Sequence, residues 1–110
     1  MSSVHVIRDE SEVEAILDRL DSLVAEGSIE RDATGSLPDA AIAAIASSGL
    51  LALNVPQAYG GVQASAVTIA KVYRRIAAAD PSVAQIFQPH YAALDAIGRV
   101  GSERQRRFFF

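Results

Sequence analysis

The sequence predicts an all-α chain, an up-and-down bundle of about four helices followed by the start of a fifth. Three observations carry that expectation. Apolar residues recur at three- and four-residue spacing in several separate stretches, which is the period of an amphipathic helix. Proline and glycine fall mostly between those stretches, where they punctuate rather than interrupt. No alternating apolar–polar run long enough to make a strand of consequence occurs. At 110 residues the chain is one domain at most, large enough for a single modest core.

Residues 1–10 read as a flexible tail, with a short extended piece around Val4, Val6 and Ile7, and residues 11–110 as the domain. Ser11-Glu12-Val13-Glu14 has the pattern of a capping box. Val13, Ile16, Leu17, Leu20, Leu23 and Val24 then form one stripe of a first helix, which Gly27 stops. Ser28 to Leu37 is polar and contains Gly35, so it reads as a loop with Arg31 and Asp32 solvated. Pro38 suits the first turn of a second helix, because its missing N–H would be unpaired there anyway. That helix carries Ile42 and Ile45 among alanines and ends near Ser48, with Gly49 just past it.

The stretch Gly49 to Gly61 is too apolar for an exposed loop. Leu50, Leu51, Ala52, Leu53 and Val55 should be buried. Pro56 pushes Val55 toward an extended conformation, so no helix runs through this point. Gly60-Gly61 allows a positive φ where the chain must turn. A third helix follows from Ser65 to Ala79, with Ile69, Val72, Tyr73 and Ile76 inward and Lys71, Arg74 and Arg75 on a solvated face. Asp80-Pro81-Ser82 caps and opens a fourth, to Gly98, whose apolar face is Val83, Ile86, Phe87, His90, Leu94 and Ile97. Pro89 falls inside it and leaves the Gln85 carbonyl without its helical donor, which predicts a kink. Ser102-Glu103-Arg104-Gln105 is a second capping box, opening the truncated fifth helix.

Composition excludes several function classes. The net charge of −3 argues against a nucleic-acid footprint, and no apolar run approaches the ~18 residues a membrane span requires. No cysteine is present, which rules out disulfides and Cys-ligated metal and fits a cytoplasmic protein. The N-terminus has neither the basic start nor the apolar core of a secretory signal. Half of the residues are apolar and the mean hydropathy is +0.19, so part of this surface should face a partner or further chain. The run Arg106-Arg107-Phe108-Phe109-Phe110 points the same way: the chain reads as the front piece of a longer protein.

Chemistry has few candidates. Gly60-Gly61 lacks the following Gly-Lys of a phosphate loop, and His5 and His90 have no ligand-spaced carboxylates for a metal. No nucleophile elbow is present. His90 remains, a polar group in an apolar stripe beside an irregular backbone at Pro89, flanked by Gln88 and Tyr91. Its two readings are an imidazole bonded to a nearby backbone group and a polar group lining a ligand cavity.

Gly49-Leu50-Leu51, Val55-Pro56, Tyr59-Gly60-Gly61, Asp80-Pro81-Ser82 and Gly101-Ser102 before Gln105, in that order and spacing, resemble the N-terminal helical domain of the acyl-CoA dehydrogenase superfamily. The resemblance covers roughly residues 30 to 110. It implies a flavoprotein whose middle β domain and C-terminal helical domain, both absent here, hold the flavin (FMN or FAD), while this domain covers one side of the substrate cleft. The stretch Gln85 to Tyr91 looks most like the flavin-dependent monooxygenase branch, similar to dibenzothiophene monooxygenase and sulfur-acquisition oxidoreductases.

In that branch a histidine matching His90 lies near flavin and substrate, where a hydrogen bond would steady the oxygenated flavin. Gln88, Tyr91 and Phe87 would line the same cleft. The resemblance further implies a homotetrameric parent that takes a small-molecule substrate and binds neither nucleic acid nor membrane, with this chain inactive by itself. An acyl-CoA dehydrogenase is the alternative within the family. A helical interaction module without enzymatic activity is the alternative outside it, and a regulatory or nucleotide-binding bundle is disfavoured by the acidic charge and the missing phosphate loop.

Overall fold

The computed structural model describes residues 3–110. Among them the chain is helical and no strand forms: α1 spans Glu12–Ala25, α2 Ser28–Thr34, α3 Asp39–Ser48, α4 Ala66–Ala79, α5 Pro81–Val100 and α6 Glu103–Phe109. Two short 3₁₀ turns, Leu50–Ala52 and Gln57–Tyr59, occupy the connector between α3 and α4. Helix α1 packs against α3 and α4, and α4 against α5. The core between them is apolar, with Leu17, Val24, Ile45, Leu50, Leu53, Val72 and Val83 fully buried.

The connector is buried as its composition demands. Leu50, Leu53 and Val55 enter the core, while Ala52 stays exposed. Gly49 turns the chain out of α3 at φ +91°, and a Cβ there would meet the His5 carbonyl oxygen at 2.5 Å. That close approach comes from the N-terminal segment, which lies against α3: the His5 N–H donates to the Ser47 carbonyl and Ile7 is buried. The adjacent glycines at the far end serve two different needs. Gly60 takes φ +88°, whereas Gly61 gives room for the Val55 carbonyl oxygen, 2.1 Å from where its Cβ would sit.

Four local expectations differ from the structure. Residues 28–34 form a helix rather than a loop, although none of its side chains is buried. Arg31 on that helix is not solvated. Its guanidinium donates to the Val24 and Glu26 carbonyls at the end of α1 and to the Asp80 carboxylate at 2.7 Å. The Ser11 capping box does not form, because Ser11 already has helical φ and ψ. Instead the Glu12 carboxylate accepts from the Arg8 and Asp9 N–H groups. Arg75, placed on a solvated face by its neighbours, reaches back to Glu14, Asp18 and Asp21 on α1. The caps expected of the later helices form: Asp80 accepts from the N–H groups of Ser82 and Val83, and Ser102 and Gln105 bond reciprocally; Ser65 additionally accepts from the Thr68 N–H at the start of α4.

Helix α5 is rotated relative to its expected face. Val83, Ala84, Phe87, Tyr91 and Leu94 are its buried residues, while Ile86 is 46% exposed. The inward stripe therefore lies on the Ala84–Tyr91 side. His90 is left at its edge, half-buried.

Candidate functional site

The midpoint of α5 is held against the 3₁₀ turn of the connector by three hydrogen bonds. The Tyr91 hydroxyl donates to the Leu50 carbonyl, His90 Nε2 lies 2.6 Å from the Leu51 carbonyl oxygen, and the Asn54 side-chain amide donates to the Tyr91 carbonyl at 3.0 Å. Each joins a side chain to a backbone oxygen. The Leu50 carbonyl accepts from the Leu53 N–H as well as from Tyr91, whereas the Leu51 carbonyl has no backbone donor in the turn and is left for His90. From α4, the Tyr73 hydroxyl donates to the Phe87 carbonyl at 3.2 Å, and its ring meets that of Tyr91 edge-on with centroids 5.5 Å apart.

These contacts sort the four residues singled out in the sequence. Phe87 and Tyr91 are 5% and 6% exposed, so their side chains lie in the core of this domain. Burial pushes the Tyr91 hydroxyl pKa well above its ordinary value, which keeps it a neutral donor. His90 and Gln88 remain accessible, but on different flanks of the helix, as residues two apart must be. Gln88 borders a shallow hollow of about 250 Å³ with Tyr73, Ala84 and Gln85. His90 faces the connector. The bonding of His90 to a backbone group, the first of its two readings, is what the structure shows; its ring edge beyond that bond stays open.

Leu51 and Asn54 were not singled out in the sequence. Both lie 37 or more residues from their partners on α5, and no local pattern announces a carbonyl acceptor. Asn54 Oδ1 is buried without a partner among the described residues. A larger hollow, about 680 Å³, lies elsewhere, between the α2–α3 loop and the start of α5. Of its charged groups, Arg31 and Asp80 are committed to each other, and Asp32 is an exposed carboxylate at its rim. Among the described residues no cluster of His, Asp or Glu could hold a metal ion, and no helix is long and apolar enough to cross a membrane.

The fold and this site define an all-helical domain whose long helix α5 is docked on a buried connector. Residues 10–110 match the family described as acyl-CoA dehydrogenase, N-terminal domain. The chain belongs to that family. It is 39% identical over 83 residues to a probable FMNH2-dependent monooxygenase, SfnC, of Pseudomonas putida, covering 76% of this chain and 21% of that protein. It is 38% identical over 82 residues to dibenzothiophene monooxygenase of Rhodococcus erythropolis, covering 74% of this chain and 20% of the relative. A dibenzothiophene monooxygenase of Rhodococcus qingshengii matches to the same extent. The chain thus spans about a fifth of the length of these relatives. No solved structure matches.

Proposed function

We propose that this chain is the N-terminal part of a flavin-dependent monooxygenase of organosulfur metabolism, covering one side of the cleft in which flavin and substrate meet. The observation that carries the reading is the likeness to relatives named as an FMNH2-dependent and a dibenzothiophene monooxygenase. The residues present fit a flavin in one respect. His90, half-buried at the edge of the inward stripe, offers a hydrogen-bonding group suited to the edge of a ring, while Gln88, on the other flank of α5, would reach a different part of the cleft. The flavin, FMN on this reading, would be bound mainly by further domains, and when bound it supplies the activation of oxygen.

The contribution of this chain is positional. Phe87 and Tyr91 fix α5 in the core, and the connector holds the His90 ring at a set angle. His90 is the catalytic residue of the proposal, a hydrogen-bonding group in a cleft closed to water by the remaining domains. Gln88 borders the cleft from the other flank, and Phe87 and Tyr91 shape it from behind. The parent would be a homotetramer acting in the cytoplasm on a small molecule, without nucleic-acid or membrane partners.

A second reading, an FAD-dependent acyl-CoA dehydrogenase, is favoured by the family match itself. The two separate on turnover by the enzyme that carries this domain, comparing reduced FMN plus oxygen and an organosulfur compound with acyl-CoA and an electron acceptor. The first pair should give product, and His90→Ala should lower it and raise hydrogen peroxide release with folding intact. Acyl-CoA oxidation would replace the proposal with the second reading, and neither activity, with no flavin retained, would leave a helical interaction module.

A further inference from the structure

A carbonyl oxygen can only accept a hydrogen bond. The 2.6 Å contact between His90 Nε2 and the Leu51 carbonyl therefore requires the proton to be on Nε2. Nδ1 has no partner among the described residues and is not among their buried unpaired atoms, so it reaches the surface. We propose that the Leu51 carbonyl is a positioning group that fixes His90 as the Nε2–H tautomer and makes Nδ1 the atom through which the ring meets its ligand. The functional weight of this rests on the role given to His90 above; the tautomer itself does not.

The carbonyl is well placed to do this because it cannot swing away. Leu50 and Leu53, on either side of it, are fully buried, and Gly49 sets the direction of the turn at φ +91°. The Tyr91 hydroxyl binds the preceding carbonyl, and Asn54 ties the far side of the turn to α5. An exposed imidazole samples both tautomers; here one nitrogen is taken. The neutral ring then presents a single lone pair outward. A ligand group facing it in the cleft must offer an N–H or O–H, and a proton taken up by the ring arrives at Nδ1 alone.

The test is a long-range proton–nitrogen correlation spectrum of the imidazole rings in the full chain. The chain has two histidines, and His5→Gln leaves the His90 signals by themselves. At a pH where the ring is neutral, Nε2 should resonate as a protonated, pyrrole-type nitrogen and Nδ1 as a bare, pyridine-type one. The opposite pattern, or two averaged nitrogens in a chain whose helical circular dichroism is intact, overturns the inference.

In the flavin-loaded enzyme, His90→Gln keeps a donor for the Leu51 carbonyl but has nothing at Nδ1, and should lose oxygenation as fully as His90→Ala. Full activity of the glutamine variant overturns the assignment of Nδ1. If the spectrum gives the expected tautomer but His90→Ala retains full oxygenation, the role proposed for His90 falls and the tautomer stands.

Discussion

Arg31 and Asp80, separated by 49 positions, meet at 2.7 Å with side-chain exposures of 17% and 8%, and each also satisfies a helix end. Arg31 binds the last carbonyls of α1, and Asp80 takes the first N–H groups of α5. One ion pair thus fastens three helices at a single point.

Removing it should be costly. Asp80→Ala loses the N-cap and leaves the Arg31 charge half-buried and unpaired, a loss of about 3 kcal/mol in unfolding free energy. Asp80→Asn keeps an acceptor for the Ser82 and Val83 N–H groups and should lose less. Urea unfolding of the two variants and of Arg31→Met orders these effects. Equal losses for Ala and Asn would show that the cap contributes nothing.

The same pair sets an acid limit. Burial alone would raise the Asp80 pKa, but the Arg31 hydrogen bond and the Ser82 and Val83 N–H groups outweigh it and hold it below the ordinary 3.8. A carboxylate with a depressed folded pKa contributes stability above its unfolded value, and that contribution is lost as pH falls through the folded one. Stability should therefore drop more steeply below about pH 4 in the parent than in Asp80→Asn. Parallel acid limbs in urea titrations across pH 2.5–6 would contradict this.

Adjacent glycines should respond unequally to alanine. Gly60 has open space around its missing Cβ, so Gly60→Ala carries only the left-handed backbone cost, about 1–2 kcal/mol. Gly61→Ala drives a methyl into the Val55 carbonyl, backbone that cannot step aside, and should cost about 3 kcal/mol or more. Thermal unfolding of the pair measures the difference directly.

Arg75, half-buried, bridges α4 to three carboxylates of α1 that are more exposed than itself. Arg75→Lys replaces a fork of donors with a point charge and should lower the unfolding midpoint at low salt. The difference from the parent should shrink in ~1 M NaCl, where such pairs are screened. A salt-independent difference would assign the loss to packing of the arginine stem.

Much of this fold was legible. The stripes Val13–Val24 and Val72–Ile76 buried as their spacing required, except for Leu23, which is 37% exposed at the edge of α1, and Asp80 and Ser102 capped as residues of their type do. Helix α2 was not legible, because its one aliphatic residue of size, Ile29, is 86% exposed and leaves no periodic signal. What ties α2 down is Arg31, whose partners are distant in sequence. The face of α5 was misjudged at Ile86 for a related reason. Val83, Phe87 and Leu94 fit two neighbouring stripes, and the choice went to the one completed by Ala84 and by Tyr91, whose hydroxyl needed Leu50. His90 stood out in the sequence as a polar group in an apolar stripe; its acceptor did not, since every residue carries a carbonyl.

That last point has a consequence for which substitutions this region can accept. The grip of α5 on the connector reads backbone oxygens at Leu50 and Leu51, and at the half-buried Leu51 it is indifferent to which aliphatic side chain the position carries. Exchanging the half-buried Leu51 for another aliphatic residue leaves both docking oxygens in place, whereas His90, Tyr91 and Asn54 each supply an atom that few other residues own. Tolerance to mutation should thus be lopsided across one contact, permissive on the turn at Leu51 and strict on the helix.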